Sequence, residues 1–264
     1  MSASDPSNIS IMTRSMAWAV ICFLVLPVTI VFAVSLTDRP YLSLPHEGLS
    51  LQYYRSLLTS PAWLASIGHS LMIAVASTLL SGVTGTLCAI GCWRISNRAS
   101  NAVRTLMLVP IIVPTVVYAL GIYQFWVDLK LIDSYVGVII AHAVTGLPYM
   151  VITVSTALAG FDPKLEQAAL SLGASMSQTL RMVIIPNILP GIISGAIFAF
   201  IHSWDELVIV LFVAGRKVFT LPQRMWDGIN ESLDPTIAAL ASVLVLTTVV
   251  LLVIDIVIRA RRTP

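Results

Sequence analysis

Two adjacent carboxylates occur near residue 205 in an otherwise apolar stretch. The local sequence reads His202-Ser203-Trp204-Asp205-Glu206. An acidic residue at the bilayer centre costs about 2.5 to 3.5 kcal/mol on insertion scales, so such residues persist where they face a cavity, a partner or a ligand. Adjacent helix positions point about 100° apart, which predicts that one carboxylate lines a path while the other pairs with a neighbour. A cavity lined by them favours a cationic solute.

Other residues allow two interpretations of this region. The pair fits the membrane edge if its helix ends early, and Trp204 then acts as an interface anchor rather than as a cation-binding ring. Pro110 and Pro114 interrupt helical hydrogen bonding in another apolar span, which either frees carbonyls toward a water-filled path or serves packing alone. His142 allows the same two roles. The candidate path residues are therefore Trp204, Asp205, Glu206, Pro114 and His142.

A polar, helix-forming segment separates two apolar stretches between residues 162 and 190. Asp162 is placed to cap a helix whose first residue is Pro163. Gly173 permits a turn, and Ser175 with Gln178 makes a Ser-x-x-Gln capping box, which is typical of the start of a second short helix. The pattern predicts a helix-turn-helix over residues 162–186 at a membrane surface.

This segment resembles the EAA loop of ABC-importer permease subunits, the binding-protein-dependent inner-membrane type. The residues that carry the likeness are Glu166, Ala168, Ala169, Gly173, Ile185, Pro186 and Pro190. In that family the loop is a coupling helix that sits in a cleft of a cytoplasmic ATPase subunit and moves with its nucleotide-driven closure. The chain has Glu-Gln-Ala-Ala where the commonest form begins Glu-Ala-Ala. An ordinary amphipathic helix at the interface is the alternative.

The C-terminal third carries a second likeness, to the PotC-like branch of these permeases, which is associated with spermidine and putrescine uptake. The matching stretches are Ser203-Trp204-Asp205-Glu206, Phe212-Val213-Ala214-Gly215, Thr220-Leu221-Pro222 and Asp234-Pro235-Thr236-Ile237-Ala238-Ala239-Leu240. Similar permeases serve opines, aminophosphonates, thiamine and ferric iron. The resemblance implies a polyamine as the preferred solute, with these other solutes as alternatives.

The elements that position these residues are membrane helices. A hydrophobic fraction of 57%, a charged fraction of 11% and a mean hydropathy of +0.91 exclude an ordinary soluble domain. Apolar stretches long enough to cross about 30 Å of hydrocarbon occur at residues 16–36, 67–92, 105–127, 135–159, 187–213 and 237–257. We therefore predict an all-α integral membrane protein with six transmembrane helices, which the resemblance places in the MetI-like permease fold, with the helix-turn-helix between helices 4 and 5.

Basic residues favour one side of such a membrane protein. Nine flank the termini and the second and fourth connections: Arg14, Arg94, Arg98, Arg104, Lys164, Arg181, Arg259, Arg261 and Arg262. Six lie on the opposite side: Arg39, Arg55, Lys130, Arg216, Lys217 and Arg224. The positive-inside rule predicts that both termini and the 162–186 segment are cytoplasmic.

The simplest division is a cytoplasmic tail at residues 1–15 followed by one membrane domain at 16–264, with a short surface helix from Leu51 to Leu58. Phosphate-loop, zinc and catalytic-triad motifs do not occur, so the sequence predicts a transport subunit, not an enzyme, without catalytic, cofactor or metal residues. A net charge of +2 gives no reason to expect nucleic acid.

The resemblance further implies the surroundings of the chain. It places the protein in a prokaryotic cytoplasmic (inner) membrane, beside a second and different permease, two ATPase subunits that bind ATP and Mg, and an external binding protein. Two alternatives from other classes are an ion-coupled secondary transporter that uses Asp205, Glu206 and His142, and a membrane scaffold without transport activity.

Overall fold

The computed structural model describes residues 11–231 and 234–260, and these residues form twelve α-helices and one π-helical turn. The helices are α1 (Ile11–Ser35), α2 (Gln52–Thr59), α3 (Pro61–Ile95), α4 (Arg98–Ile112), α5 (Thr115–Asp128), α6 (Tyr135–Ala159), α7 (Pro163–Ser171), α8 (Met176–Thr179), α9 (Ile185–Asp205), α10 (Val208–Val213), α11 (Leu221–Glu231) and α12 (Thr236–Ala260). The π-helical turn is Leu180–Ile184, between α8 and α9. The all-α prediction and the short helix α2 are confirmed.

Five helices in the described part of the chain are long and apolar enough to cross a membrane. They are Met12–Ser35, Pro61–Ile95, Tyr135–Ala159, Met176–Asp205 and Thr236–Ile258. A sixth span arises when α4 and α5, which are bent by 107° at a short break, are taken together. The six predicted spans are thus recovered, one of them only as a bent pair.

The span predicted over residues 105–127 is interrupted at Pro114, as expected for this proline, but the expected interruption at Pro110 is wrong. Helical hydrogen bonding runs through Pro110, since the amide of Val113 donates to the carbonyl of Val109 at 3.1 Å. The break falls at Val113 and Pro114, whose ψ angles of 128° and 133° are extended. Proline disfavours helical geometry in the residue before it, and at Val113 that preference prevails.

The stretch predicted as one span over residues 187–213 is not one helix, and the alternative in which the helix ends early is the one observed. Helix α9 ends at Asp205, and Glu206 is extended with a ψ of 119°. The side-chain Oε1 of Glu206 then accepts a hydrogen bond from the amide of Ile209 at 3.1 Å, at the start of α10. A carboxylate that satisfies the free amides at a helix start stabilises that start, so Glu206 helps to separate α10 from α9.

The chain divides into two compact units, and residues 1–61 with 227–246 form the first. Within this unit the hydroxyl of Tyr54 in α2 lies 2.7 Å from that of Ser35 in α1 and 2.6 Å from that of Ser242 in α12. Helix α1 begins at Ile11, inside the predicted tail, and residues 1–10 of that tail lie outside the described residues. The division into a tail and one membrane domain stays a prediction.

Residues 62–226 and 247–264 form the second unit, which contains both candidate sites. The most extensive contact between two helices in this unit is that between α6 and α9. A core near the end of α6 joins Leu158 and Phe161 to Ile184 and Ile188, so the π-helical turn is packed against the end of α6. Burial of these apolar side chains fixes the position of the first turns of α9 relative to the end of α6.

Asp133 holds a loop in the second unit. Its carboxylate accepts hydrogen bonds from the amides of Gly215 at 3.2 Å, Arg216 at 3.1 Å and Lys217 at 3.0 Å. Burial raises the pKa of Asp133, but the bonds from Lys217, Arg216 and Gly215 outweigh it and hold the pKa below its ordinary value of 3.8. Ionised Asp133 therefore stabilises the folded loop.

We expect Asp133→Asn to destabilise the protein at neutral pH by on the order of 1 kcal/mol, because asparagine keeps one acceptor oxygen but loses the charge. The ionised group contributes stability above its ordinary pKa of 3.8, and this is lost as pH falls through the lowered pKa. The melting temperatures of the two proteins in detergent should therefore differ at pH 7 and converge in acid. A constant difference down to pH 3 would contradict this account.

Candidate functional site

The carboxylates at the end of α9 face a shared pocket. Its volume is about 370 Å³, and its lining residues are Tyr149, Phe198, Ile201, His202, Asp205 and Glu206. The expectation was that one carboxylate lines a path while the other pairs with a neighbouring helix; both residues line this pocket, and Asp205 also forms a hydrogen bond with Thr248 of α12. That expectation assumed a continuous helix, whereas Glu206 lies beyond the helix end and its extended backbone turns its side chain toward the same space. Both negative charges are therefore available to one ligand.

A buried hydrogen-bond network lies next to this pocket. The hydroxyl of Ser77 in α3 donates to that of Ser203 in α9 at 3.0 Å, and Ser203 lies 2.8 Å from Nδ1 of His142 in α6. All three residues are buried. The network ties three helices together two residues before Asp205, and His142 is not among the residues that line the pocket.

The remaining predicted path residues lie elsewhere. Trp204 is buried and stacked on Phe200, with ring centroids 5.8 Å apart, and it does not line the pocket. Pro114 is exposed at the bend between α4 and α5 and is also absent from the pocket lining. The structure therefore brings Asp205 and Glu206 together, places His142 and Trp204 nearby, and separates Pro114 from them.

Four of the pocket residues were not among the predicted path residues: Tyr149, Phe198, Ile201 and His202. Tyr149 and His202 have ring centroids 5.3 Å apart and form an aromatic wall beside the carboxylates. Tyr149 follows His142 by seven residues, which places both on one face of α6 and was a usable signal. Aromatic rings beside carboxylates suit an organic cation, since the ring faces and the negative charges both attract it.

The polar segment after α6 forms the predicted helix-turn-helix. Asp162 caps α7 by accepting a bond from the amide of Lys164 at 2.9 Å. Gly173 turns the chain with a φ of +87°, which favours glycine. Ser175 and Gln178 form the predicted capping box at the start of α8. All three local predictions are confirmed.

The residues of the EAA pattern have distinct surroundings. Glu166 pairs with Arg94 at the end of α3, with 2.9 Å between Oε1 and Nη2. Ala168 is exposed and Ala169 is half-buried on α7, and Gly173 is exposed at the turn. Pro186 is exposed in the first turn of α9, while Pro190 lies inside α9 and lines a separate cleft of about 290 Å³.

Helix α7 presents an apolar surface that nothing in the described part of its own unit covers. It contains no buried residue; its Leu165 and Leu170 are 45% and 41% exposed, and Leu172, which directly follows its last residue, is 88% exposed. Large apolar side chains that remain grouped and exposed commonly mark a site of protein contact. The helix therefore has the character of a docking element.

The chain matches the family model of the "binding-protein-dependent transport system inner membrane component" over residues 81–263. It is 28% identical over 238 residues to the spermidine/putrescine transport system permease protein PotC of Haemophilus influenzae, covering 90% of the chain and 92% of that protein. It is 30% identical over 204 residues to the putrescine permease protein PotI of Escherichia coli K12, covering 75% and 73%. It is also 30% identical over 219 residues to the sulfate permease protein CysT of Salmonella typhimurium, covering 77% and 79%.

The fold has solved counterparts. A chain from a bacterial ABC transporter that imports the acidic polysaccharide alginate aligns with a TM-score of 0.68 and 14% identity, over 100% of both chains. A second structure of an alginate transporter, in complex with a periplasmic protein that holds an alginate pentasaccharide, aligns with a TM-score of 0.66 and 15% identity over 94% of this chain and 92% of that one. At these identities the likeness establishes the fold.

The family match covers more than half of the sequence and includes the capped helix-turn-helix and the α9 carboxylates. The fold, the apolar spans and the PotC and PotI likenesses agree with it. The chain therefore belongs to the family of binding-protein-dependent transport system inner membrane components, and it is a multi-pass inner-membrane permease subunit of an ABC importer, of the PotC-like type, rather than an enzyme.

Proposed function

We propose that this permease translocates a small organic cation, with a polyamine such as spermidine or putrescine as the preferred solute. The observation that carries the proposal is the pocket in which Asp205 and Glu206 lie beside the rings of Tyr149 and His202. Polyamines carry protonated amines joined by apolar carbon chains. Carboxylates attract the amines, and aromatic surfaces accept both the cation and the methylene groups.

The negative charge of the pocket distinguishes between the candidate solutes, because it favours cations over anions. The relatives include polyamine permeases and a sulfate permease, so family membership alone is compatible with opposite charges. A sulfate dianion beside two carboxylates would be repelled, whereas a diamine would be attracted to both. Opines, aminophosphonates, thiamine and ferric iron remain alternative solutes for this family, and the aromatic wall favours an organic cation over a bare metal ion.

The second part of the proposal concerns energy coupling. Helix α7, with Glu166, Ala168, Ala169 and Gly173, docks on an ATPase subunit, and Pro186 and Pro190 transmit its displacement to α9. The exposed leucines of α7 and the firm caps of this segment support this role. ATP and Mg are bound by the partner ATPase, and this chain contributes no cofactor site.

The assembly that follows contains two ATPase subunits, a second permease that differs from this chain, and an external binding protein that delivers the solute. The excess of basic residues near α7 and both termini supports a cytoplasmic position for these segments. Family membership favours ATP-driven import over the ion-coupled alternative and over a scaffold without transport activity.

The test is an uptake experiment in cells that express the chain together with the transport genes that neighbour it. We expect uptake of radiolabelled spermidine or putrescine that competes with unlabelled polyamine but not with sulfate, thiamine or ferric citrate. Uptake should persist when the proton gradient is collapsed while ATP is maintained. Sulfate uptake by the same cells would overturn the cation proposal, and uptake that follows the proton gradient would overturn the ATP-driven one.

A further inference from the structure

The last turn of α3 contacts the helix-turn-helix at two points. Arg94 forms the ion pair with Glu166 on α7, and the side chains of both residues are mostly covered, with 28% and 16% exposed. Trp93 meets Phe161 edge to face, with ring centroids 5.9 Å apart and an interplanar angle of 83°. Phe161 directly precedes the cap of α7, so α3 holds the segment on both sides of Asp162.

These contacts are mutually supporting. The guanidinium of Arg94 lies over the ring of Trp93, 6.0 Å from its centroid, which adds a cation–π contact. Trp93 also packs against the core that contains Phe161 and Ile184. Helix α7 buries no residue of its own, and it is held by these side-chain contacts with the end of α3 together with its packing against α8 and the π-helical turn.

The other half of α3 reaches the carboxylate pocket. Ser77 lies 17 positions before Arg94 in the same helix, a distance of about 26 Å along its axis. Its hydroxyl bonds to Ser203, which is two residues from Asp205 and also bonds to His142. Helix α3 is continuous between these two residues, so it joins the two sites without passing through the π-helical turn or the first turns of α9.

From these contacts we propose that α3 is a second route of coupling in this permease, parallel to the one through the π-helical turn and α9. In this route Arg94 is a positioning residue: it carries the movement of α7 to α3 through Glu166, and Ser77 delivers it to Ser203 beside the pocket. The proposal rests on the proposed docking of α7 to an ATPase and extends it to residues outside the EAA pattern.

The test uses the complete transporter, with its ATPase subunits and binding protein, in lipid nanodiscs. The measured quantity is the ratio of ATPase activity with spermidine-loaded binding protein to the basal activity. We expect Arg94→Gln to lower this ratio by about threefold while the amount of ATPase subunit recovered stays unchanged. Arg94→Lys should keep most of the ratio. The control is Arg98→Gln, which removes an exposed arginine at the start of α4 and should change nothing.

A double-mutant cycle separates this route from other roles of Glu166. We expect Arg94→Gln to have no further effect in the Glu166→Gln background, because the two residues act through each other. An equal reduction in both backgrounds, or no reduction in either, would overturn the proposal. Absence of stimulation in the unmodified transporter, by contrast, would count against the proposed solute and leave the cycle to be run with another.

A cross-link gives a second, independent measurement. Cysteines replace Arg94 and Glu166 in a chain whose Cys22, Cys88 and Cys92 are changed to serine, and a short bifunctional methanethiosulfonate reagent joins them through two reducible disulfides. Because α3 and α7 move together in this proposal, the linked transporter should keep its stimulated activity. Arrest by the cross-link, with recovery after reduction, would show that the two helices separate and would refute the second route.

Discussion

Replacing both pocket carboxylates, Asp205→Asn with Glu206→Gln, is expected to lower the rate of polyamine uptake by roughly tenfold or more, since hydrogen bonds between charged groups contribute about 1.5 to 3 kcal/mol each. Both side chains line the same pocket, so a protonated amine loses its two nearest anionic partners at once. Glutamine retains the oxygen that accepts the bond from Ile209, so the start of α10 should survive. The measurement is initial uptake at saturating binding protein, with transporter abundance determined in parallel.

The control for this variant is Asp128→Asn, which removes an exposed carboxylate at the end of α5 outside the pocket. It should leave uptake unchanged. The direction of the effect also separates the solutes, because loss of two negative charges would ease the passage of sulfate. Polyamine uptake that matches the unmodified transporter would rule out a cation site at this position.

Gly195→Ala is expected to destabilise the protein by about 1 to 3 kcal/mol through overpacking between α6 and α9. A methyl group at this position would lie 2.4 Å from Oγ1 of Thr153, 2.8 Å from the sulfur of Met150 and 3.1 Å from the Cα of Met150. Thr153 can rotate only by giving up its bond to the carbonyl of Tyr149, and the Met150 backbone can move only with its helix. Close approach of membrane helices depends on such small residues.

The matched variant is Gly121→Ala in α5, where an added methyl group meets nothing within 4 Å in this chain. It should leave the melting temperature in detergent unchanged or slightly raised, because alanine is the better helix former. Gly195→Ala should lower that temperature and also reduce transport, since α6 carries Tyr149 and α9 carries Asp205. Equal melting temperatures for the two variants would mean that the helices adjust without cost.

The helix-turn-helix over residues 162–186 could be predicted from the sequence because its signals are local. A cap at Asp162, a left-handed turn at Gly173 and a capping box at Ser175 each involve residues within four positions of one another. The sequence predicted interruptions at both prolines of the third span, but it could not tell which of them ends the helix. Pro110 and Pro114 look equivalent in sequence, yet the helix passes through one and ends before the other, so packing around the bend decides between them.

The pocket required tertiary information. The sequence indicated the two carboxylates, but it treated them as neighbours on one helix, and the end of α9 at Asp205 changes the direction of Glu206. Tyr149 reaches the pocket only because Gly191 and Gly195 let α9 approach α6 closely. Small residues in a membrane helix indicate that another helix packs closely against it, but the sequence does not show which helix that is.

The uncovered leucines of α7 bear on how the cell makes this protein. A copy synthesised without its ATPase would expose a short helix to water, with uncovered apolar side chains and few packing contacts of its own. Quality-control proteases preferentially attack such features, so balanced production of the subunits would determine how much of the permease survives. The surface that we propose to dock on the ATPase would then also regulate the abundance of the permease.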